Sequence, residues 1–398
     1  MTLAPFRGLR FDPEVVGDLS TVISPPYDVL DADTVRTLEQ ANRRNIVRLI
    51  LSRRFERPYL AVRDRLQKWR DKGALRVDDE TTLYVYEYTA EQATVRGLIG
   101  LVGLRTEDEG VVLPHEDVMP APVEDRTVLM RTTETNLEPI LLVHEGTDRL
   151  AGLVDDATRS APLADFVALD GSCHRLWAIT APDCHRAIGE ELAGGTALIA
   201  DGHHRYAAYL ALQRALREPA LPDGDSPWDH GLAMLVDQRS HALRVGPIHR
   251  SVAAMTIADL QDLADERGDE VDLHPDREAA FAALGEGDRR QLASFVVSDG
   301  HAWGVLRTPR THPVDAGVLH ETLLPAWGVA EEQVGYHHSL DQALGATARA
   351  AGLVVAVSPP NLAEVMAVAA RGVRMPRKST SFSPKPRMGV VMRDLRDA

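Results

Sequence analysis

The sequence predicts an α+β (mixed α/β) fold, and three observations predict it. Short strand-like runs recur along the chain, among them "TLYVYEYT", "VRGLIGLVGLR", "EPILLVHE" and "TALIA". Between them lies helical spacing, clearest in Arg57–Gly73, where Leu60, Val62, Leu66 and Trp69 recur near a 3.6-residue period. A hairpin signature, "ASFVVSDGHAWGVLRT", centres on Asp299-Gly300 in the C-terminal part. At 398 residues the chain has room for two or three domains, and shifts in composition place boundaries near 150 and 250, giving 1–150, 151–250 and 251–398.

Taken in order, "TVISPPYDVL" (Thr21–Leu30) reads as a strand interrupted by a Pro-Pro pair, and "RNIVRLIL" (Arg44–Leu51) as another. The Arg57–Gly73 helix closes on Gly73, a suitable C′ residue. "TLYVYEYT" and "VRGLIGLVGLR" form a strand pair, followed by the strand "EPILLVHE" (Glu138–Glu145). Residues 146–168, rich in Asp, Ala and Pro, read as a surface connection. "SCHRLWAIT" and "TALIA" are strands, and a helix runs from His203 to about Arg217. "REPALPDGDSPWD" is a loop, and "HGLAMLVD" and "ALRVGPIH" return to strand. Beyond Ser251, helices rich in Ala, Asp and Glu surround the hairpin, and a basic, Pro-rich tail ends in a strand-like "GVVMR".

Hydrophobic residues make up 44%, enough for a sizeable core, while aromatics are only 5%, so Leu, Val and Ala must fill most of it. A formal net charge of -15 argues against a general nucleic-acid binder, which needs clustered cations to displace counterions. A local basic patch is compatible with that charge. Cys173 and Cys184 form no CxxC or CxxH pattern, so neither zinc nor a disulfide framework is expected. With no signal-like start and no apolar run long enough for a bilayer, the expectation is a soluble, cytoplasmic protein without membrane association.

The densest cluster of chemistry is "TALIADGHHRYAAY" (Thr196–Tyr209). A strand running into Asp-Gly and then a helix is an anion-site geometry, because helix N-termini present unpaired amides and a positive dipole end. Gly202 allows close approach to the backbone, His203 and His204 add donors, and Arg205 can grip a phosphate in bidentate fashion. Asp201 can cap the helix, hold a metal or orient a histidine. Asp299-Gly300-His301 repeats the first three letters in a hairpin, where a plain turn suffices.

A second constellation, Gly110–Ile140, offers Glu116 as a general base or magnesium ligand, and Arg126 and Arg131 on the following helix as phosphate ligands. Asn136 is suited to contact backbone or base. A third, "MPRKSTSFSPKP", makes a basic, hydroxyl-rich loop of Lys378, Ser379, Thr380, Ser381 and Lys385; lacking the P-loop glycines, it reads as an anion nest or a solvated tail. Arg7, Arg10, Tyr27 and Asp28 near the N-terminus sit in strand-and-turn settings. His337, His338 and Asp341 have no third histidine at zinc spacing, so no metal site is expected.

Together "PFRGLRFDPEVVGDLSTVISPPYDVL", "NIVRLIL", "LYVYEY", "GVVLPHEDVMP", "NLEPILL", "HRLWAIT", "IADGHHRYAAYL" and "MPRKSTSFSPKPRMGVVMR" resemble the bacterial and archaeal DUF1015 family, in order along the chain. The "DGHHRY" segment also resembles the phosphate-gripping turn of the ParB/sulfiredoxin-like superfamily, above all its free-serine kinases. That resemblance implies a ParB/sulfiredoxin-like core with insertions. Residues 1–150 and 151–250 would form one catalytic region, and 251–398 a C-terminal α+β region. It implies a phosphotransferase using ATP or ADP and Mg on a small hydroxylated metabolite, foremost L-serine or O-phosphoserine. Asp201, His203 and Glu116 would be catalytic, and Gly202, His204, Arg205, Arg126, Arg131, Lys378, Ser379 and Thr380 would bind the nucleotide. The alternative is a ParB-like nucleotide-binding regulatory module without turnover. The sequence leaves the oligomeric state open.

Overall fold

The computed structural model describes residues 1–51, 57–90, 92–217, 222, 226–284 and 291–397, with backbone alone at residues 28, 349 and 350. The Asp28 side chain, and residues 218–221 and 223–225 of the expected loop, therefore lie outside the described residues. The protein is a mixed α+β protein with several sheets. Its chain divides into two units, the first made of Met1–Pro114, Val118–Leu243 and Pro384–Ala398, the second of His115–Asp117 and Arg244–Ser383.

The first unit is organised by a nine-stranded mixed sheet. Its path runs Val112–Leu113, Ala197–Asp201, Ile140–His144, His230–Asp237, Ala93–Gly103, Leu83–Ala90, Cys173–Ile179, Ala164–Val167, and Leu3–Ala4 pairs with Ala93–Gly103 off this path. Two contacts are parallel: Ala197–Asp201 with Val112–Leu113, and His230–Asp237 with Ile140–His144. Leu83–Ala90 shows why the sheet is covered on both faces. Leu83 and Val85 enter the main core with Leu98, Leu142, Ile199 and Leu235. Tyr84, Tyr86 and Tyr88 alternate with them, so they point the other way. Each phenol there finds a partner: Tyr84 donates to Asp78 (2.6 Å), Tyr86 pairs with His174 Nδ1 (2.8 Å), and Tyr88 donates to the Pro384 carbonyl (2.7 Å).

A four-stranded antiparallel sheet, Leu75–Val77, Gly8–Phe11, Met392–Asp394 and Thr135–Asn136, belongs to the same unit. The expected helix spans Pro58–Asp71 and lays Val62, Leu66 and Trp69 on a core containing Leu9 and Phe11. It stops as the sequence predicts. Gly73 takes φ +68, its amide donates to the Arg70 carbonyl (2.8 Å), and the Ala74 amide reaches the Trp69 carbonyl (2.8 Å). These two bonds form a Schellman motif.

The second unit holds a six-stranded antiparallel sheet ordered Glu270–His274, Trp303–Pro309, Leu292–Ser298, Gly352–Ala356, His249–Ala253, Val334–His337. A short ribbon pairs Arg244–Gly246 with Ser381–Ser383. The hairpin is present, but its last pair is Ser298 with Trp303, so four residues turn rather than two. Asp299 closes that turn by accepting from the amides of His301 and Ala302, both at 3.0 Å.

Three sequence expectations are corrected. Arg44–Leu51 is not a strand: Val47–Ile50 is a short helix, started by Asn45, whose side chain accepts from the Val47 amide (3.0 Å). The connection at 146–168 contains a helix, Asp148–Ala157, capped by Thr147 on the Leu150 amide (3.1 Å), and an edge strand, Ala164–Val167. Thr21–Leu30 contributes only a single bridge, Ser24 to Met388, between 3-10 turns at Leu19–Thr21 and Tyr27–Val29. No described helix is long and apolar enough to cross a membrane.

Candidate functional site

In the first unit, Ala197–Asp201 runs directly into Gly202 and the fourteen-residue helix His203–Leu216. Gly202 is the N-cap residue at φ +96, a left-handed conformation that favours glycine, and no side chain caps the helix. Asp201, one candidate cap, does other work. Its Oδ2 accepts from Arg205 Nη2 (2.5 Å), and its Oδ1 faces Lys385 Nζ at 2.6 Å. Burial alone pushes this carboxyl up, but the Lys385 ammonium and the Arg205 guanidinium outweigh it and hold the group below the usual carboxylate range.

Arg205 points inward. It is 2% exposed, donates to the Pro139 carbonyl (2.5 Å), and stands 3.4 Å from Glu138. It fills the space a side chain at Gly202 would need, since a Cβ there would lie 3.0 Å from Arg205 Nε and 2.9 Å from Ile140 Cγ2. The close approach that Gly202 permits is therefore made by this chain's own guanidinium. Burial opposes the Arg205 charge, but Glu138 and Asp201 more than compensate, so its pKa is raised.

The network continues beyond Arg205. The other Glu138 oxygen faces Arg126 Nη1 at 3.4 Å, and Arg126 is bound to Asp125 through Nε (2.9 Å) and Nη2 (2.5 Å). The Arg126 guanidinium lies 5.0 Å from the Tyr27 ring centroid, and Tyr59 donates to Asp125 at 2.7 Å. Lys385, Asp201, Arg205, Glu138, Arg126 and Asp125 thus alternate in sign, three cations against three carboxylates. Buried charges persist in this way only when each is matched.

The two histidines separate. His203 opens the helix and is half-buried. His204 Nε2 accepts from the Met119 amide (3.0 Å), at the N-cap of the helix Pro120–Thr133. That bond requires an unprotonated Nε2, so His204 secures the start of a neighbouring helix. Arg131 lies on the same helix as Arg126, about 140° further round, and is exposed. Asn136 is buried in the strand Thr135–Asn136, and its Oδ1 makes no hydrogen bond.

Arg7 and Arg10 stay in the first unit, bonded to the Asp78 carbonyl (2.8 Å) and carboxylate (2.7 Å), and Glu116, Lys378, Ser379, Thr380, His337, His338 and Asp341 lie in the second. Glu116 Oε1 accepts from the amides of Ser379 (2.9 Å) and Thr380 (3.0 Å) and from the Thr380 hydroxyl (3.1 Å), and Oε2 from the Lys378 amide (3.2 Å). The Lys378–Thr380 loop is thus an anion nest, with Lys378 at φ +56, and its occupant is the Glu116 carboxylate. Burial raises the Glu116 pKa by more than these hydrogen bonds lower it. His115 Nε2 bonds Thr380 Oγ1 (2.8 Å), and the Lys378 ammonium sits 5.1 Å from the Tyr336 ring centroid. His337 bonds Ser251 (2.9 Å), His338 bonds Ser381 (3.2 Å), and Asp341 accepts from Arg277 (3.1 Å). Among the described residues no group of three His, Cys, Asp or Glu is placed to hold a metal.

The structure therefore joins Asp201, Arg205 and Arg126 in one network, and Glu116, Lys378, Ser379 and Thr380 in another. Sequence reasoning missed Glu138 and Asp125 as members, and missed that Lys385 pairs with Asp201. Asp125 beside Arg126 was the one local signal.

The family model described as "Protein of unknown function (DUF1015)" matches residues 3–326. The chain belongs to the DUF1015 family. No curated protein matches this DUF1015 protein. Among solved structures, it is similar to a free serine kinase variant in complex with ADP. The match has 16% identity and TM-score 0.40, and covers 72% of this chain and 87% of that one. It is also similar to a conserved hypothetical protein from Pyrococcus furiosus (16% identity, TM-score 0.38, 72% and 90% covered). A third likeness is SbnI with C-terminal truncation from Staphylococcus aureus (14% identity, TM-score 0.38, 73% and 84% covered).

Proposed function

We propose that the turn Asp201–His204, with Lys385, binds the phosphates of an adenine nucleotide, ATP or ADP. We further propose that the protein is a phosphotransferase acting on a small hydroxylated metabolite, foremost L-serine or O-phosphoserine. The observation that carries this reading is the start of His203–Leu216. A strand ends on a left-handed glycine, a fourteen-residue helix begins without a side-chain cap, and an ammonium is held beside the turn by Asp201. A helix N-terminus and a lysine supply what a transferring phosphoryl group asks for: donors and positive charge, fixed in advance.

The roles divide by burial. Lys385 and the helix start face the phosphates, and His203 is the further donor we assign there. Arg205, sealed against Glu138 and the Pro139 carbonyl, is a positioning residue that fixes Asp201 and through it Lys385. Both Asp201 oxygens already meet cations, so the turn does not fit a protein-held magnesium. The ion would come on the nucleotide phosphates, as magnesium commonly does.

Phosphorus NMR of the purified chain with magnesium, ATP, ADP, serine and phosphoserine tests the reaction. A new phosphate-ester resonance, or loss of phosphoserine signal to ADP, is expected. Turnover of none of these substrates sinks the enzyme reading. Titration calorimetry tests the placement: Lys385→Ala should weaken ADP binding about tenfold or more, the loss of one charge-assisted contact. Unchanged ADP affinity in that variant moves the phosphates elsewhere. ADP binding without turnover assigns the turn to a nucleotide-binding regulatory module.

A further inference from the structure

The ammonium at the Asp201 turn comes from an uncommon residue. Only four of the 44 Lys and Arg residues are lysines: Lys68, Lys72, Lys378 and Lys385. A lysine brings a compact point charge, but on a flexible four-carbon stem that must be held if the charge is to stay in place. Asp201 holds the tip, at 2.6 Å from Nζ. The root of the stem is held by other groups. Pro384 opens the segment that returns to the first unit, so Lys385 follows directly on that crossing. Tyr88, 1% exposed, donates to the Pro384 carbonyl at 2.7 Å. That carbonyl and the Lys385 nitrogen belong to one planar peptide group, so the bond fixes the plane from which Lys385 projects. Pro384 and Pro386 restrict the backbone on either side of the lysine. Downstream, the Arg387 amide reaches the Tyr86 hydroxyl at 3.4 Å, and the Arg387 guanidinium binds Asp170 and the Ser172 hydroxyl. The Tyr88 ring is itself fixed, stacked on His174 (centroids 6.3 Å apart) and set against Tyr86 (5.3 Å). Burial raises the Tyr88 pKa, so the phenol keeps the proton it donates.

We propose that Tyr88 is a positioning residue of the phosphate site: by fixing the Pro384–Lys385 peptide it keeps the Lys385 ammonium at the Asp201 turn. The proposal rests on the reading of that turn given above. Two residues then fix the site from opposite ends. Arg205 holds Asp201, and Tyr88 holds the lysine that Asp201 meets. The Tyr88 hydroxyl is committed to the Pro384 carbonyl, so its effect on a nucleotide passes through Lys385. Without that hydroxyl the carbonyl loses its donor and the lysine stem is anchored only through its tip and the flanking prolines.

Two measurements on the full chain test it. The first is acetylation by an amine-reactive ester, read lysine by lysine by mass spectrometry. In wild type Lys385, with a side chain 13% exposed, should react more slowly than the exposed Lys68 and Lys72. Tyr88→Phe should speed labelling of Lys385 about threefold to tenfold, the worth of one hydrogen bond, and leave Lys68 and Lys72 as they were. Tyr84→Phe is the control: it removes a phenol on the same strand face, bonded to Asp78 instead, and should leave Lys385 unchanged. The second is titration calorimetry with ADP. Tyr88→Phe should weaken binding by about the same factor, yet add nothing to the loss in Lys385→Ala. A merely structural role would add its own loss in the double variant. If Tyr88→Phe does not fold, Pro384→Gly keeps the acceptor carbonyl, loosens its backbone and should give an intermediate rise in Lys385 labelling. Labelling of Lys385 unchanged by these substitutions, raised equally by Tyr84→Phe, or additive losses of ADP affinity would each overturn the proposal. Absence of ADP binding to wild type would instead remove the phosphate reading of the turn, and the labelling alone would still show whether Tyr88 holds Lys385.

Discussion

Glu138→Gln should destabilise the first unit severely, although it changes a single atom. Glu138 is 3% exposed and lies 3.4 Å from each of two buried guanidiniums, those of Arg126 and Arg205. At that distance each attraction is about 5 kcal/mol for an effective dielectric constant near 20. Desolvation offsets much of it, and breaking a buried pair typically costs about 3–5 kcal/mol net. The glutamine removes one negative charge from a run of three and three, leaving an uncompensated cation inside. Adding Arg126→Met restores neutrality and should return roughly 1–3 kcal/mol, a coupling typical of contacting residues. Because the chain has two units, a single global melt is a poor reporter. Hydrogen exchange of peptides across 197–212 reads the affected segment directly. If Glu138→Gln changes protection there by less than about 1 kcal/mol, or if the double variant is no better than the single, the alternating-charge account fails.

Three further predictions are quickly checked. His174, His249 and His320 are held neutral, chiefly by burial, with pKa values lowered to about 4. Their unfolded forms take up protons first, so stability is complete above about pH 6.5 and falls as pH drops from there to 4; His174 alone contributes on the order of 3 kcal/mol to that loss, and His174→Gln should flatten a urea-midpoint profile between pH 7 and 4.5. Gly202→Ala must strain a φ of +96 and crowd Ile140 and Arg205, whereas Gly300→Ala strains φ +89 in open space. Roughly 2–3 kcal/mol is expected for the first and about 1 for the second, and equal losses of amide protection in the peptides around the two glycines would refute the crowding argument. Glu116→Gln should speed amide exchange at Ser379 and Thr380 selectively, since the carboxylate oxygen they share accepts three hydrogen bonds; unchanged exchange would show the nest holds itself.

Where the sequence was legible, the signals were local. The helix Pro58–Asp71 carries its periodicity and its Gly73 stop within seventeen residues of sequence, and Leu83–Gly103 carries its alternation on either side of one turn. The helix at His203 was marked by the glycine that starts it. Val47–Ile50 misled because its apolar residues suit a buried strand equally well. What decides for a helix is Asn45, anchored by Thr21 and Ile23 carbonyls at 2.8 Å, a tertiary contact. Asp148–Ala157 was readable and overlooked: Thr147 is a capping residue, and Leu150, Leu153 and Val154 recur at helical spacing. The turn at Asp201 was legible as a place, but not as a network. Nothing local indicates that Arg205 turns inward to Glu138, or that Lys385, on the far side of the sequence, reaches Asp201. Asp299-Gly300-His301 shares three letters with that site and is a hairpin turn closed by its own aspartate.

The discontinuity of the two units bears on how the chain can be synthesised and dissected. The backbone passes between them four times, at 114–115, 117–118, 243–244 and 383–384. The first unit therefore cannot mature on the ribosome as a leading half. Its four-stranded sheet lacks a central strand until Met392–Asp394 is made, and Asp201 lacks its ammonium until Lys385 is made. Such distant closures slow folding and leave apolar sheet edges exposed while they wait. A nascent chain stalled before residue 384 should be a chaperone client, and a fragment ending near residue 243 an aggregating one. Expression trials that cut this protein into contiguous halves would discard its last fifteen residues from the half that needs them.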